Sequence, residues 1–314
     1  MEKDAKIYVA GASGLIGSAV VRQLQANNYK NIITKTHQEL DLTQQSQVSE
    51  FFNSEKPDYV FLCAGKTGGV YANDNYRAEF IYENIAIQSN VIHNAFLYET
   101  RKLIFFSCSC IYPKFCPQPM KEEHLLTGKL EPTNEPFAIA KLAGMKMCES
   151  YYRQYGCDFI TIIPTNIYGK NQNYTPLNSL IIPALIDRFH EAKVSCSEEV
   201  QVWGSGRPLR DFLFSDDLAD AAIFLMNNYS DAMPINAGTG SDIPVSTVAE
   251  TIANVVGYKG KIVYESSKPE GVLVKLQDIS KISEMGWSPK MSFHEGISLA
   301  YKDYLNNYRL KLES

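Results

Sequence analysis

The sequence predicts an α/β fold, a parallel sheet covered by helices on both faces with a smaller unit interleaved toward the C-terminus. Three observations carry this. A short apolar strand pattern at 6–10 runs through a glycine-punctuated loop into a helical pattern at 15–25, with Ile16, Ala19, Val20 and Leu24 on one stripe. Further strand-like runs recur at 31–36, 59–64, 102–107 and 159–164, with helical patterns between them. Beyond Pro164 the alternation loosens into loops rich in Asn, Pro and Gly at 171–178 and 204–208. The expected division is a first domain over 1–170 and a second, smaller one over 171–314. Segments near 211–240 return to the first domain, a helix at 216–229 and a strand at 234–237.

Composition bounds the class. The 314 residues are 45% hydrophobic and 21% charged, enough for one large or two unequal cores. The charged start Met1-Glu2-Lys3-Asp4 runs directly into the first strand pattern, so no signal or transit peptide is expected. No apolar run reaches the roughly 20 residues that span a bilayer. Seven cysteines (Cys63, Cys108, Cys110, Cys116, Cys148, Cys157 and Cys196) lie scattered without paired metal-ligand spacing. They read as reduced thiols of a cytoplasmic protein, with no disulfide and no metal. A net charge of −5 without a long basic tract argues against nucleic-acid or membrane-surface binding. An anionic ligand has to be held locally.

The loop Gly11-Ala12-Ser13-Gly14-Leu15-Ile16-Gly17 supplies such a place. Its glycines permit a tight turn and let a phosphate approach backbone N–H groups at a helix N-terminus, where the dipole favours an anion. Its position at the first strand-to-helix junction of an alternating chain points to a Rossmann-type domain binding a nicotinamide dinucleotide. The second strand ends at Lys35, not at an acidic residue that would bond a ribose 2′-hydroxyl. A 2′-phosphate is therefore favoured, and NADP over NAD.

A second set of motifs is more specific. Ser109-Cys110-Ile111-Tyr112-Pro113-Lys114, the run Glu131-Pro132-Thr133-Asn134-Glu135-Pro136-Phe137-Ala138-Ile139-Ala140-Lys141, and Pro164-Thr165-Asn166-Ile167-Tyr168-Gly169 strongly resemble the GDP-L-fucose synthases, which are extended short-chain dehydrogenase/reductases. The match continues through Cys148-Glu149-Ser150-Tyr151, Ile182-Pro183-Ala184-Leu185, Val202-Trp203-Gly204-Ser205-Gly206 and Ser267-Lys268-Pro269-Glu270-Gly271, so it spans nearly the whole chain. The resemblance implies a homodimer joined through helices near 84–98 and 137–154, NADP(H), and a GDP-linked 4-keto-6-deoxy-sugar epimerised at C3 and C5 and reduced at C4. It places cofactor contacts at Gly11, Ser13, Gly14, Leu15, Ile16, Gly17 and Lys35, and at Lys141, Pro164, Asn166 and Ile167. Substrate contacts fall at Arg188, Trp203, Arg210 and Glu270.

Several positions depart from that pattern. The family's proton-donating tyrosine is Phe137 here, and the serine that helps to bind the C4 oxygen is Cys108, while Lys141 is kept. Cys110 matches the cysteine base of epimerisation, but the histidine acid is replaced by Leu180. Phenylalanine and leucine have no proton to give, and a thiol is a weaker donor than a hydroxyl. A His-Arg pair of the glycine loop is Ala12-Ser13, leaving Lys35 more of the 2′-phosphate, and Gly271-Val272-Leu273-Val274-Lys275 lacks a further arginine. The five histidines, His37, His93, His124, His190 and His294, read as surface helix or loop, and none is placed as a catalytic acid. Three readings stay open: an NADPH-dependent enzyme with a variant proton donor, a binding-competent but impaired or inactive homologue, and a reductase that no longer epimerises.

Overall fold

The computed structural model describes residues 1–175, 179–267 and 271–309. The first half alternates β1 (Ile7–Ala10), α1 (Leu15–Ala26), β2 (Ile32–Thr34), α2 (Gln45–Glu55), β3 (Tyr59–Leu62), α3 (Val70–Asn75), α4 (Arg77–Leu97), β4 (Lys102–Phe106), α5 (Glu135–Tyr155) and β5 (Asp158–Pro164). There follow β6 (Asn166–Tyr168), α6 (Ile181–Val194), β7 (Glu199–Trp203), β8 (Leu209–Arg210), β9 (Phe212–Phe214), α7 (Ser215–Asn228), β10 (Ile235–Ala237), β11 (Ile243–Pro244) and α8 (Val245–Val256). The chain closes with β12 (Lys261–Glu265), β13 (Val274–Lys275), α9 (Ser280–Glu284) and α10 (Phe293–Asp303).

Six strands form one parallel sheet in the order β10-β5-β4-β3-β1-β2. Its inner strands are mostly apolar because both faces are covered, with Lys102 and Asp158 paired at the strand starts, and the two-residue period sorts their side chains between two cores. Ile7, Val9, Tyr59, Phe61, Ile104 and Phe106 pack with α1 and α7 on one side. Tyr8, Ala10, Val60, Leu62, Leu103 and Phe105 pack with α2, α4 and α5 on the other. This is the doubly wound arrangement that the alternation of strand and helix patterns predicts. A third core joins α6, α8 and α10 to the small sheets β12-β7 and β6-β9.

Two boundaries differ from the sequence expectation, each for a local reason. Strand β2 stops at Thr34 because the Glu39 carboxylate accepts hydrogen bonds from the Thr36 N–H (2.7 Å) and hydroxyl (2.8 Å), folding the chain into a turn. Helix α4 begins at Arg77, well before the expected start near 84. Phe80 in its first turn is buried, and Glu79 and Glu83 both pair with Lys66.

The strand order reverses between β1 and β3, since the chain runs outward to β2 and then crosses to the far side of β1. A crevice opens at the carboxyl ends of strands at such a switch point. Among the described residues no helix is long and apolar enough to cross a membrane.

Ile104 sits in central β4 with no exposed surface. We expect Ile104→Ala to cost about 2–5 kcal/mol through the cavity it leaves. Urea unfolding should show a lower midpoint at unchanged slope; an unchanged midpoint would mean that the sheet is not packed as described.

Candidate functional site

The glycine loop lies in this crevice. Gly11 takes φ +81°, and a Cβ there would stand 2.8 Å from the backbone of Ala64 beyond β3. A Cβ at Gly17 would come within 2.1 Å of the Gly11 carbonyl oxygen. The Gly14 N–H closes the turn onto that same oxygen at 3.0 Å. Gly14 then caps α1 without any side-chain bond, so the helix's first N–H groups face the crevice. The cradle fits a diphosphate that must touch backbone, and side chains at these glycines would fill it. Ser13 is exposed, and its carbonyl accepts from Asn171 Nδ2 at 2.6 Å. Leu15 is half-buried, whereas Ile16 turns its side chain into the first core. Lys35, just past β2, is half-buried and within electrostatic reach of Glu39, whose carboxyl is held low by its bonds to Thr36 and, more weakly, by Lys35.

Lys141 lies at the carboxyl ends of β3 and β4. It lies on α5, is 5% exposed, and donates from Nζ to the Phe106 carbonyl at the end of β4 (3.0 Å). Burial pushes it down to about 8, with the Cys63 sulfur pulling the other way. Burial in turn raises the Cys63 thiol, against the pull of Lys141. A Cβ on Gly65 would lie 3.3 Å from Nζ, which puts the loop after β3 against the lysine. One turn back on α5, the half-buried Phe137 ring has its centroid 5.9 Å from Nζ and meets the edge of Phe80 at 6.0 Å. The i, i+4 spacing thus brings Phe137 and Lys141 to one face, as a Y-x-x-x-K pattern requires.

The turn after β4 packs against α5 and carries Cys108 and Cys110. These two are joined by a disulfide, with Cα atoms 5.4 Å apart. The expectation of seven unpaired thiols is therefore corrected, and five remain free. Spacing along the chain hid the pair, because a C-x-C separation becomes bonding distance only when a 3-10 turn folds the backbone between the two residues. While the bond stands, neither sulfur carries a proton.

On the far side of the crevice, Pro164 ends β5, and Asn166 and Ile167 lie in β6, where Asn166 Nδ2 donates to the Asp211 carbonyl at 2.8 Å. Arg188, on α6, donates to the Gln201 carbonyl of β7 at 2.5 Å, and burial holds its guanidinium below the usual range. Trp203 closes the same strand and is 58% exposed. Arg210 in β8 pairs in register with Lys275 in β13, and burial together with Arg210 pushes Lys275 down to about 8. Glu131 of the motif before α5 partly offsets that shift. Leu180, immediately before α6, is 47% exposed. Glu270 lies outside the described residues.

Sequence reasoning missed Cys63, Ser107 and Lys275. Cys63 was one unremarkable cysteine among seven, and only the fold sets it against Lys141. The Ser107 hydroxyl, 5% exposed beside Cys108, has no hydrogen-bond partner among the described residues. Lys275 was named only as the end of a motif that lacks an arginine. The surface reading of the histidines also needs correction at two positions: His93 is half-buried and bonds the Tyr151 hydroxyl at 2.7 Å, and His190 bonds Tyr301 at 3.0 Å. His190 is thus turned toward α10. Among the described residues no group of three His, Cys, Asp or Glu side chains is placed to hold a metal.

Comparison with known proteins gives a consistent picture. A model of the NAD dependent epimerase/dehydratase family matches residues 7–238. GDP-L-fucose synthase 1 of Arabidopsis thaliana is 52% identical over 98% of this chain and 95% of its own length. The GDP-L-fucose synthase of Escherichia coli is 46% identical over 96% of this chain and 97% of its own. Among solved structures, a GDP-mannoheptose C4 reductase from Campylobacter jejuni with NADP bound superposes with a TM-score of 0.89 at 41% identity, covering 98% of this chain and 100% of that one.

The buried lysine has a measurable signature. Lys141 titrates near 10.5 when unfolded and near 8 in the fold, so between these values the unfolded chain binds the extra proton and stability rises with pH. Lys141→Met, which removes the charge, should exceed the parent in stability at pH 7 by up to about 3 kcal/mol. The gap should close as pH climbs from 8 toward 10.5. Urea melts of both proteins at pH 7 and 10 test this, and a gap that does not change with pH would show that the ammonium is not desolvated.

Proposed function

Because this chain belongs to the NAD dependent epimerase/dehydratase family, we propose that it is a GDP-L-fucose synthase-like enzyme that uses NADP(H) on a GDP-linked 4-keto-6-deoxy-sugar. The observation that carries the reading is Lys141, buried at the carboxyl ends of β3 and β4 with Phe137 on its face. In this reading the loop 11–17 holds the diphosphate of the dinucleotide and Lys35 the 2′-phosphate, with Ser13 adding a neutral donor. Leu15, Ile16, Pro164, Asn166 and Ile167 line the remaining path, and Lys141 anchors the nicotinamide ribose. When bound, the reduced nicotinamide supplies hydride to C4. Residues 171–314 mainly bind substrate: Arg188 and Arg210 suit the sugar nucleotide's diphosphate, Trp203 offers a ring face, and Glu270 completes the set.

The chain's own groups then decide which proton moves are fast. A ketone at C4 acidifies the C–H bonds at C3 and C5, and Cys110 as a thiolate removes those protons on one face. Inversion needs a donor on the other face, and Leu180 offers none, so water must serve. At the C4 oxygen Phe137 has no hydroxyl, which leaves the thiol form of Cys108 or water as donor. Loss of a positioned general acid slows such a step by about 10²- to 10⁴-fold. The same two positions, Phe137 and Leu180, favour the second reading, a homologue that binds NADP(H) and nucleotide sugar with little turnover.

One experiment separates the two. NADPH absorbance is followed with GDP-4-keto-6-deoxymannose for the protein as it stands and for Phe137→Tyr. The enzyme reading predicts slow oxidation by the parent and about 10²- to 10⁴-fold faster oxidation by the variant. Turnover by neither protein leaves the binding homologue as the function.

The proposal includes a cytoplasmic homodimer. On α4 and α5, Tyr82, Ile85 and Ile139 are 69%, 37% and 41% exposed, an apolar outer face that a second copy would cover. Light scattering at micromolar concentration should give twice the chain mass, and Tyr82→Glu should lower it toward the monomer. A monomeric parent contradicts this part of the proposal.

A further inference from the structure

The turn after β4 presents two sulfurs where removing a proton from carbon needs one. We propose that Cys108 and Cys110 form a reversible thiol–disulfide modification site that sets whether Cys110 is able to take a proton from substrate. The proposal rests on the reading of Cys110 as the epimerising base.

The backbone prepares the pair. Cys108 is extended (φ −161°, ψ 158°), and the 3-10 turn Ser109–Ile111 then swings Cys110 back, with the Ile111 N–H donating to the Cys108 carbonyl at 3.3 Å. Both ends of the turn are tied to the main sheet, through the Ser107 N–H to the Ile162 carbonyl at 3.0 Å and the Tyr112 hydroxyl to Asn236 Oδ1 at 2.7 Å. The resulting Cα separation of 5.4 Å lies within ordinary disulfide reach. The turn's backbone thus holds the two cysteines at bonding separation.

Three features mark the bond as a control point and not a staple. It spans a separation of two residues, the kind of short loop whose closure removes least entropy from the unfolded chain. Cys108 and Cys110 are both half-buried and within reach of a small oxidant, whereas Cys116 and Cys148 are buried and free. And disulfides of cytoplasmic proteins are usually transient and redox-sensing.

The oxidant is a low-molecular-weight disulfide, R–S–S–R. One cysteine thiolate attacks it and releases RS⁻, giving a mixed disulfide. The other attacks the protein sulfur of that intermediate and displaces the second RS⁻. The two cysteine protons end on two RSH, the protein dithiol is oxidised by two electrons, and the small disulfide is reduced. A small thiol in excess reverses both steps. In the oxidised form Cys110 has no thiolate, so proton removal at C3 and C5 stops.

The test uses the whole protein, glutathione disulfide as oxidant and dithiothreitol as reductant, with two readouts. After alkylation of free thiols, peptide mass spectrometry should find a Cys108–Cys110 bond in the oxidised protein, none in the reduced protein and none in Cys108→Ser. Deuterium uptake from D2O into GDP-4-keto-6-deoxymannose, without NADPH, should fall roughly tenfold or more on oxidation and recover on reduction. In Cys108→Ser the internal bond cannot form, so any fall in exchange after oxidant should track a glutathione adduct on Cys110 in the same mass spectrum and recover on reduction. Failure of glutathione disulfide to form the bond overturns the proposal, as does exchange at the same rate in both states. No exchange from the reduced protein, with the bond forming normally, overturns the assignment of Cys110 as base and the proposal with it.

Discussion

Two-sided burial of the parallel sheet is the constraint from which the rest follows. Every residue of β1, β3 and β4 is buried, so no polar group can act from within a strand, and chemistry is pushed to the strand ends. There the reversal of strand order between β1 and β3 opens a crevice floored by backbone. Close packing shapes its walls: Gly11 touches Ala64, Gly17 touches the Gly11 carbonyl, and Lys141 rests on the Phe106 carbonyl. Helix α5, which helps to bury the sheet, delivers Phe137 and Lys141 to that end, and β4 runs straight into the Cys108–Cys110 turn there.

Desolvation has a cost at Lys141 and a use. A lysine held near 8 is only weakly committed to its proton and has one carbonyl partner from the protein, so a dinucleotide ribose would meet a donor with capacity to spare. In a tyrosine-bearing relative this ammonium would also ease ionisation of the phenol. Phe137 keeps the ring and its edge contact with Phe80 while removing the group that lysine would act on. Under the proposed function, Phe137 therefore bears on proton transfer more than on binding, and the two are measured separately.

Much of this was legible in the sequence. Patterns of period 2 and 3.6 located the strands and helices, since burial on known faces leaves a local imprint. Spacing also revealed the glycine loop, and the resemblance to a Y-x-x-x-K pattern the Phe137–Lys141 pair, because each is a local device in which neighbours in sequence do the work. What stayed hidden depends on distant segments meeting or on backbone turns that no periodicity marks. Cys63 meets Lys141 only after β3 and α5 are assembled, and Lys275 meets Arg210 only through a parallel pairing of short strands far apart in the chain. The Cys108–Cys110 bond needed a 3-10 turn that nothing in a C-x-C sequence announces.

The central claim is that the crevice lined by the glycine loop and Lys141 is an NADP(H) site, with Lys35 supplying the preference for a 2′-phosphate. Calorimetric titration of the protein with NADPH and then with NADH tests it most directly. Saturable binding of one NADPH per chain, with NADH weaker by roughly tenfold or more for want of the charge-assisted bond to Lys35, is the predicted result. Equal affinity for the two would remove Lys35 from the site, and no binding of either would contradict the account as a whole.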